Sequence, residues 1–523
     1  MSETRRDFLA DVGRGMLVAG LGAPLATELG LAPALAGDDP AALAFGDLEP
    51  IVALLQETPK DKLLPAVVEK LNDGMSLKRL TAAAAFANAR TFGGENYFGF
   101  HVFMALAPAF QMAADMPAGH GALPMLKVLY RNAHYSQEVG GRKNEVLKPM
   151  TPAEAGSGEA VRKAVNAGDR TAAEQVLAAV AKTSPEKALE AALMGVEDNH
   201  DVHTVVLPWR AFAMLDIVGR DHATTLLRQS VRQCAKQCAD RKHRGDEMAK
   251  ARAILPGLLE KHRLPKDTPG TRAAEDAWID RLSHTILAGT PEQAGEAVAM
   301  ALAEGFSSEH VGEAVSLAAN QLVLRQVENW EGRNYGRRTH GDSPGVHASD
   351  ATNAWRNIVR VVGPRCRAAG LILAAMDAAQ SHQWSLAQKN PGHLKEPYPR
   401  PQDLEAVKAT TPEAILKDLD GAIRENDQLR AAALAAKYGQ LDPQAKPVFD
   451  LLLKYAVSED GRLHAEKYYA TVRQEFQTTR PAFRWRQVVA LARVTASMYG
   501  FSQQDKKEGR APGYEEACRL LRA

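Results

Sequence analysis

Cysteine is scarce: only Cys234, Cys238, Cys366 and Cys518 occur in 523 residues. Four are too few to staple a fold of this size. Cys234 and Cys238, four apart in a helical-looking stretch, are poorly spaced for a disulfide within one straight helix. No third or fourth ligand lies near them, so all four are read as structural. Neither sign of charge dominates. The formal net charge of +1 gives no argument for nucleic acid or for an anionic membrane surface. No run approaches about 18 uninterrupted apolar residues, so no stable membrane anchor is expected. H-E-x-x-H, C-x-x-C, a Walker loop and G-x-G-x-x-G before a strand are all missing. Gly341-Asp342-Ser343-Pro344-Gly345 matches the letters G-x-S-x-G, but a nucleophile elbow needs a buried strand feeding the serine. The residues before it, Gly332–His340, are polar and arginine-rich, which disfavours Ser343 as a nucleophile.

What is present is an ordinary globular balance, 45% hydrophobic and 24% charged, in a chain long enough for a large core. The first residues read as a targeting segment. Thr4-Arg5-Arg6-Asp7-Phe8-Leu9 is a twin-arginine signature, followed by the apolar Gly15–Ala26 and an Ala34-Leu35-Ala36 cleavage site. Residues 1–36 are therefore expected to be a twin-arginine signal peptide, and the mature protein to be exported, periplasmic or otherwise. That route engages the twin-arginine export machinery and carries proteins already folded, often around a cofactor.

Alanine is abundant and alternating β-branched runs are few, so the fold class expected is all-α. Residues 37–523 are read as one large domain, a layered or solenoid-like array of helical hairpins, with a possible subdivision near the basic, proline-punctuated residues 240–275. Within that array one local grammar recurs: a polar or glycine-broken loop, a histidine, then an apolar helix. Thr91–His101 leads into a helix from Val102, and Gly341–Arg356 delivers His347 to a helix read as starting near Ser349 or Asp350. Ser458–Tyr469 opens a helix carrying His464. In Glu197–Thr204, His200 and His203 lie three apart and so on one helical face, with acidic neighbours to orient the imidazoles.

His101, His203, His347 and His464 thus form a distributed set that a helical bundle can aim at one metal. Imidazoles suit iron, zinc or copper, and open positions leave room for dioxygen or substrate. The plainer reading of each histidine is a cap or a core residue.

The runs NYFGFHVFMALAPAF and LPMLKVLYRNAHYSQ, the latter with Tyr130, Asn132, Tyr135 and Gln137, resemble the amino-terminal signature of the questin oxidase-like proteins. DVHTVVLPWRAF, GVHASDATNAWR and LHAEKYYATVRQEF resemble that family's later histidine-bearing helices. The resemblance covers most of the mature chain in order, with one departure: the first helix has a single histidine, His101, where family members often have more.

The resemblance implies an all-α, non-haem iron oxygenase acting with dioxygen on a small molecule, an aromatic or polycyclic ketone or phenol. His101, His203, His347 and His464 would hold Fe(II), and Lys467, one helical turn past His464, would add an anionic ligand if carboxylated. Tyr135, Asp201 and Asp350 are the catalytic candidates, the two aspartates as orienters of imidazole. Tyr97, Phe98, Phe100, Tyr135, Trp209 and Trp355 are candidates to line an apolar pocket. His134, His200 and His284 are reserve ligands. Two other functions fit the same helices: a zinc-dependent hydrolase, and a non-enzymatic α-helical repeat protein that binds partners.

Overall fold

The helix Leu77–Phe92 shows how an alanine-rich sequence makes this architecture. Ser76 caps it by accepting the Arg79 N–H, and Gly93, at φ 55°, ends it in the left-handed conformation. Between them, every residue from Leu80 to Phe92 is buried. Small side chains let neighbouring helices approach on all sides, and a helix apolar all round belongs inside a larger helical array. The computed structural model describes residues 42–199, 201–244, 249–266, 268–326, 330–332, 336–338, 340–384, 397–502 and 513–522. The expected signal peptide, 1–36, and His200 lie outside the described residues.

The fold is all-helical, with the helices packed in layers. A short antiparallel ribbon and an isolated parallel bridge between Arg272 and Phe306 interrupt the helices. Trp330–Gly332 pairs with Gly336–Arg338, in a register that sets Trp330 opposite Arg338. Phe45–Ala523 forms one compact unit.

Four helices matter for function: Tyr97–Met112, Val202–Ala213, Pro344–Val361 and Arg462–Thr478, carrying His101, His203, His347 and His464 respectively. The His347 helix packs on Ser308–Arg325, Pro364–Trp384 and Val202–Ala213, and the His464 helix packs on Tyr97–Met112 and Arg484–Met498. Two glycines allow these approaches. A Cβ on Gly345 would stand 2.8 Å from the backbone nitrogen of Val323, and one on Gly370 would stand 2.6 Å from the Trp355 ring. Trp355 is accordingly core, 2% exposed.

Two local boundaries differ from the sequence expectation. The His347 helix starts at Pro344, with Ser343 as its cap accepting the Val346 N–H. Proline at the first helical position has no N–H to leave unsatisfied, so residues that read as turn formers instead begin the helix. Near His200, one helix ends at Asn199 and the next is capped by Asp201. The His203 helix therefore begins afresh at Val202, with its own cap, and does not continue the helix that ends at Asn199.

Asp350 also has a different task from the one expected. Its Oδ1 accepts from Arg210 Nη2 at 3.2 Å and from Thr471 Oγ1 at 3.0 Å. It therefore touches no imidazole directly. It ties the His203, His347 and His464 helices together, with the Arg210 and Asp350 side chains 3% and 7% exposed. A second tie binds the last two helices again. Glu475 accepts from Asn353 Nδ2 at 2.9 Å and from the Arg356 guanidinium.

Removing one partner of a buried ion pair strands the other charge, at a cost of about 3–5 kcal/mol. Asp350→Ala is therefore expected to destabilise the fold by about that amount in chemical denaturation. The apolar double replacement Arg210→Met with Asp350→Leu should recover most of the loss.

Candidate metal centre

Each of the four histidines is placed by the start of its helix. Asn96 caps the His101 helix by accepting the Gly99 N–H at 2.9 Å, and Asn88 Nδ2 donates to the Gly99 carbonyl at 3.0 Å. Gly99 is required there, because a Cβ would lie 2.3 Å from the Phe92 ring. Asp201 caps the His203 helix, accepting the His203 N–H at 2.6 Å, and its second oxygen accepts from the Gln237 amide. His347 lies in the first turn of its helix. The His464 helix is fixed from outside by the buried Lys127, which donates to the carbonyls of Ser458 at 2.6 Å and Arg462 at 2.9 Å. Lys127 also pairs with Glu466 at 2.6 Å.

The four rings close into a circuit. Ring centroids are 4.8 Å apart for His101 and His203, 5.7 Å for His203 and His347, 5.2 Å for His347 and His464, and 5.6 Å for His464 and His101.

The hydrogen bonds set which nitrogen faces the centre. His101 Nδ1 donates to the Tyr97 carbonyl at 2.7 Å and His347 Nδ1 to the Ser343 carbonyl at 2.9 Å. His203 Nδ1 lies 3.3 Å from Asp201 Oδ1. Carbonyls and carboxylates only accept, so these Nδ1 atoms carry the proton and Nε2 keeps its lone pair. His101 Nε2 and His203 Nε2 then face each other at 3.2 Å. His464 Nε2 is buried without a hydrogen-bond partner. Lone pairs turned on one another in a desolvated space call for a shared proton or a cation.

Electrostatics favours the neutral form of His101, His347 and His464. Burial is the main cause for His101 and His464, and Lys467 with the neighbouring rings adds to it, so both titrate well below the usual histidine range. His347 is pushed down to about 4 by burial and by His203, against the opposing pull of Asp342. Burial disfavours the Asp201 carboxylate, but the His203 and Gln237 contacts outweigh it and its pKa falls. Lys467 is 3% exposed and makes no hydrogen bond or ion pair with a described residue. Burial lowers it to about 8, with Asp350 pulling the other way. Neutral imidazoles are the form that binds metals.

Around the circuit, Tyr97 packs on His101 at 4.3 Å, and Phe100 lies 4.9 Å from His101 and 5.3 Å from His203. Phe98 stacks on Tyr135 at 4.6 Å and lies outward, 46% exposed. Tyr135 thus belongs to an outer aromatic pair, and Trp209 stacks with Phe212. A cleft of about 300 Å³ reaches Tyr97 from the surface, lined also by Phe92, Asn96 and Lys236. A larger cavity, about 580 Å³ and lined in part by Lys187, Met194 and Cys366, contains none of the four histidines.

The reserve ligands have other partners: His134 bonds Lys60 and Glu138, and His284 lies 3.9 Å from Asp280. One residue at the site had no sequence signal assigned to it. Oxygen and nitrogen atoms of Asp342, His347 and His464 all lie within 4.8 Å of one another. Its setting in the Gly341–Gly345 turn, five residues ahead of His347, is that of an ordinary turn aspartate.

Comparison with known proteins adds no relative: no family model, no curated protein and no solved structure matches this chain.

Because the fold keeps His101, His347 and His464 neutral, the unfolded chain takes up more protons between about pH 6.5, the ordinary histidine value, and pH 4. Stability of the metal-free protein is expected to fall as pH drops through that window. Thermal melting from pH 7 to 4.5 should show the decline, with a shallower slope in His347→Gln.

Proposed function

We propose that the protein is an exported, metal-dependent oxidoreductase in which His101, His203, His347 and His464 hold one divalent iron. The observation that carries this reading is the pair of Nε2 atoms 3.2 Å apart, with Nδ1 of each ring tied to an acceptor. With metal–nitrogen bonds of about 2.0–2.1 Å, neighbouring ligand atoms on one ion lie roughly 3 Å apart, so the spacing fits. The orphaned His464 Nε2 is a second point of fit. Carbonyl and carboxylate partners on the far nitrogen are the usual support for a metal-binding imidazole.

When bound there, iron supplies a redox-active centre for dioxygen chemistry on an electron-rich aromatic or enolic substrate, as the questin oxidase-like resemblance implies. The protein's own groups prepare that chemistry. Asp201 holds the His203 tautomer, and the Tyr97 and Phe100 rings shield two of the imidazoles from water. Lys467 sets a buried amine beside the rings, and Phe98 and Tyr135 present aromatic surface farther out. The twin-arginine signature at Thr4–Leu9 supports export of a chain folded with its metal in place.

Elemental analysis of anaerobically purified protein tests the proposal. Near-stoichiometric iron is expected, lost in His101→Ala and in His347→Ala while the helical circular dichroism persists. Exposure to dioxygen with an electron-rich phenol should consume the gas. Stoichiometric zinc indifferent to oxidants would replace this reading with a hydrolase, and a folded protein free of metal would end it.

A further inference from the structure

We infer that Asp342 is the anionic ligand of the bound ion, completing a set of four imidazoles and one carboxylate. The inference rests on the metal reading above and goes further by naming where the negative charge comes from.

Charge poses the question. Four neutral imidazoles contribute no charge, and a dication among them would sit near Lys467 and Arg210. Burying positive charge without a counter-charge is costly, so the site needs an anion. Three other carboxylates near the rings are engaged by partners of their own, and a fourth, Asp377 beside Asp201, is pushed by burial toward its protonated form. Asp350 accepts from Arg210 and Thr471, Glu466 pairs with Lys127, and Asp201 caps its helix and holds His203 and Gln237. Carboxylation of Lys467 would require carbon dioxide to add to a buried amine, with loss of a proton. Asp342 needs no chemistry, because its carboxylate already carries the charge.

Geometry gives the answer. Asp342 Oδ1 is 3.9 Å from His464 Nε2, the ring nitrogen that is buried and has no hydrogen-bond partner. Ligand atoms at about 2.1 Å from one ion are separated by roughly 3 Å when adjacent and just over 4 Å when opposite. The 3.9 Å separation falls inside that span. The carboxylate arrives on the short 3-10 turn His340–Asp342, directly before the Ser343 cap that starts the His347 helix. Residue 342 is thus held by the same helix start that aims His347. Its side chain is 41% exposed while His464 is 17% exposed, so the carboxylate stands at the rim, where an ion from solvent would meet it first. Five protein ligands leave an octahedral ion one position for a further molecule.

Cobalt(II) titration of the metal-free full-length protein tests this without an activity assay. The wild type should take up one cobalt per chain. Asp342→Asn should weaken apparent affinity at least tenfold in competition with a chelator and alter the visible d–d absorption, which reports the ligand set. Asp342→Glu should restore most of the affinity, and removing carbon dioxide from the buffers should leave the wild type unchanged. Thermal melting of the metal-free variants confirms that they fold.

An Asp342→Asn protein with wild-type affinity and spectrum would overturn the assignment. So would weaker binding with an unchanged spectrum, which marks a distant charge and not a ligand. Affinity that depends on carbon dioxide would hand the role to Lys467, leaving the metal reading intact. A wild type that takes up no cobalt would overturn the metal reading itself, and this inference with it.

Discussion

The Asp350 carboxylate, shared between Arg210 and Thr471, is the contact on which the arrangement of the site depends. Asp350 and its two partners lie on three different helices, each partner well over a hundred residues away in the chain, and each helix carries one of the clustered histidines a turn or two away. A buried ionic contact adds little net stability over an apolar replacement, but it is directional. Apolar packing alone would let helices slide or rotate by a fraction of a turn. A charged hydrogen bond aligned across three helices resists that, and Glu475 repeats the constraint farther along two of them.

On that frame, the chemistry of the rings follows from their burial and from the charge beside them. Burial and the nearby Lys467 both oppose protonation of His101 and His464, while backbone carbonyls hold the Nδ1 protons of His101 and His347. The result is a set of lone pairs that the protein neither protonates nor fully satisfies. Buried polar atoms left in this state are uncommon in proteins, and a bound ion is one of the recognised explanations for them.

Much of this was legible in the sequence, for identifiable reasons. The all-helical fold is written in alanine content and the lack of alternating runs. The recurring loop, histidine and helix pattern singled out His101, His347 and His464, because cap residues and glycines signal helix starts locally. What escaped was set by tertiary contact. Asp350 reads as an imidazole partner by its distance along the chain, three residues from His347, but in a helix that spacing left it facing Arg210 and Thr471. Trp355 reads as a pocket aromatic until Gly370 is seen to be its seat. Asp342 carried no signal of its own, since an aspartate in a Gly/Pro turn is ordinary. Only the fold brings it to His464.

One carbonyl joins two levels of this structure. The Ser343 oxygen accepts both the backbone N–H of His347, at 3.1 Å, and the ring N–H of the same residue, at 2.9 Å. The orientation of the imidazole is therefore not a separate rotamer choice added to a finished helix. It is a property of the first helical turn, and the ring is held only while that turn is wound. Fraying at Pro344 would release the ring together with the backbone, so ordering of the site and completion of the helix become a single event. Helix ends are usually the least cooperative parts of a helix. Here the end of one helix is bound up with the histidine cluster.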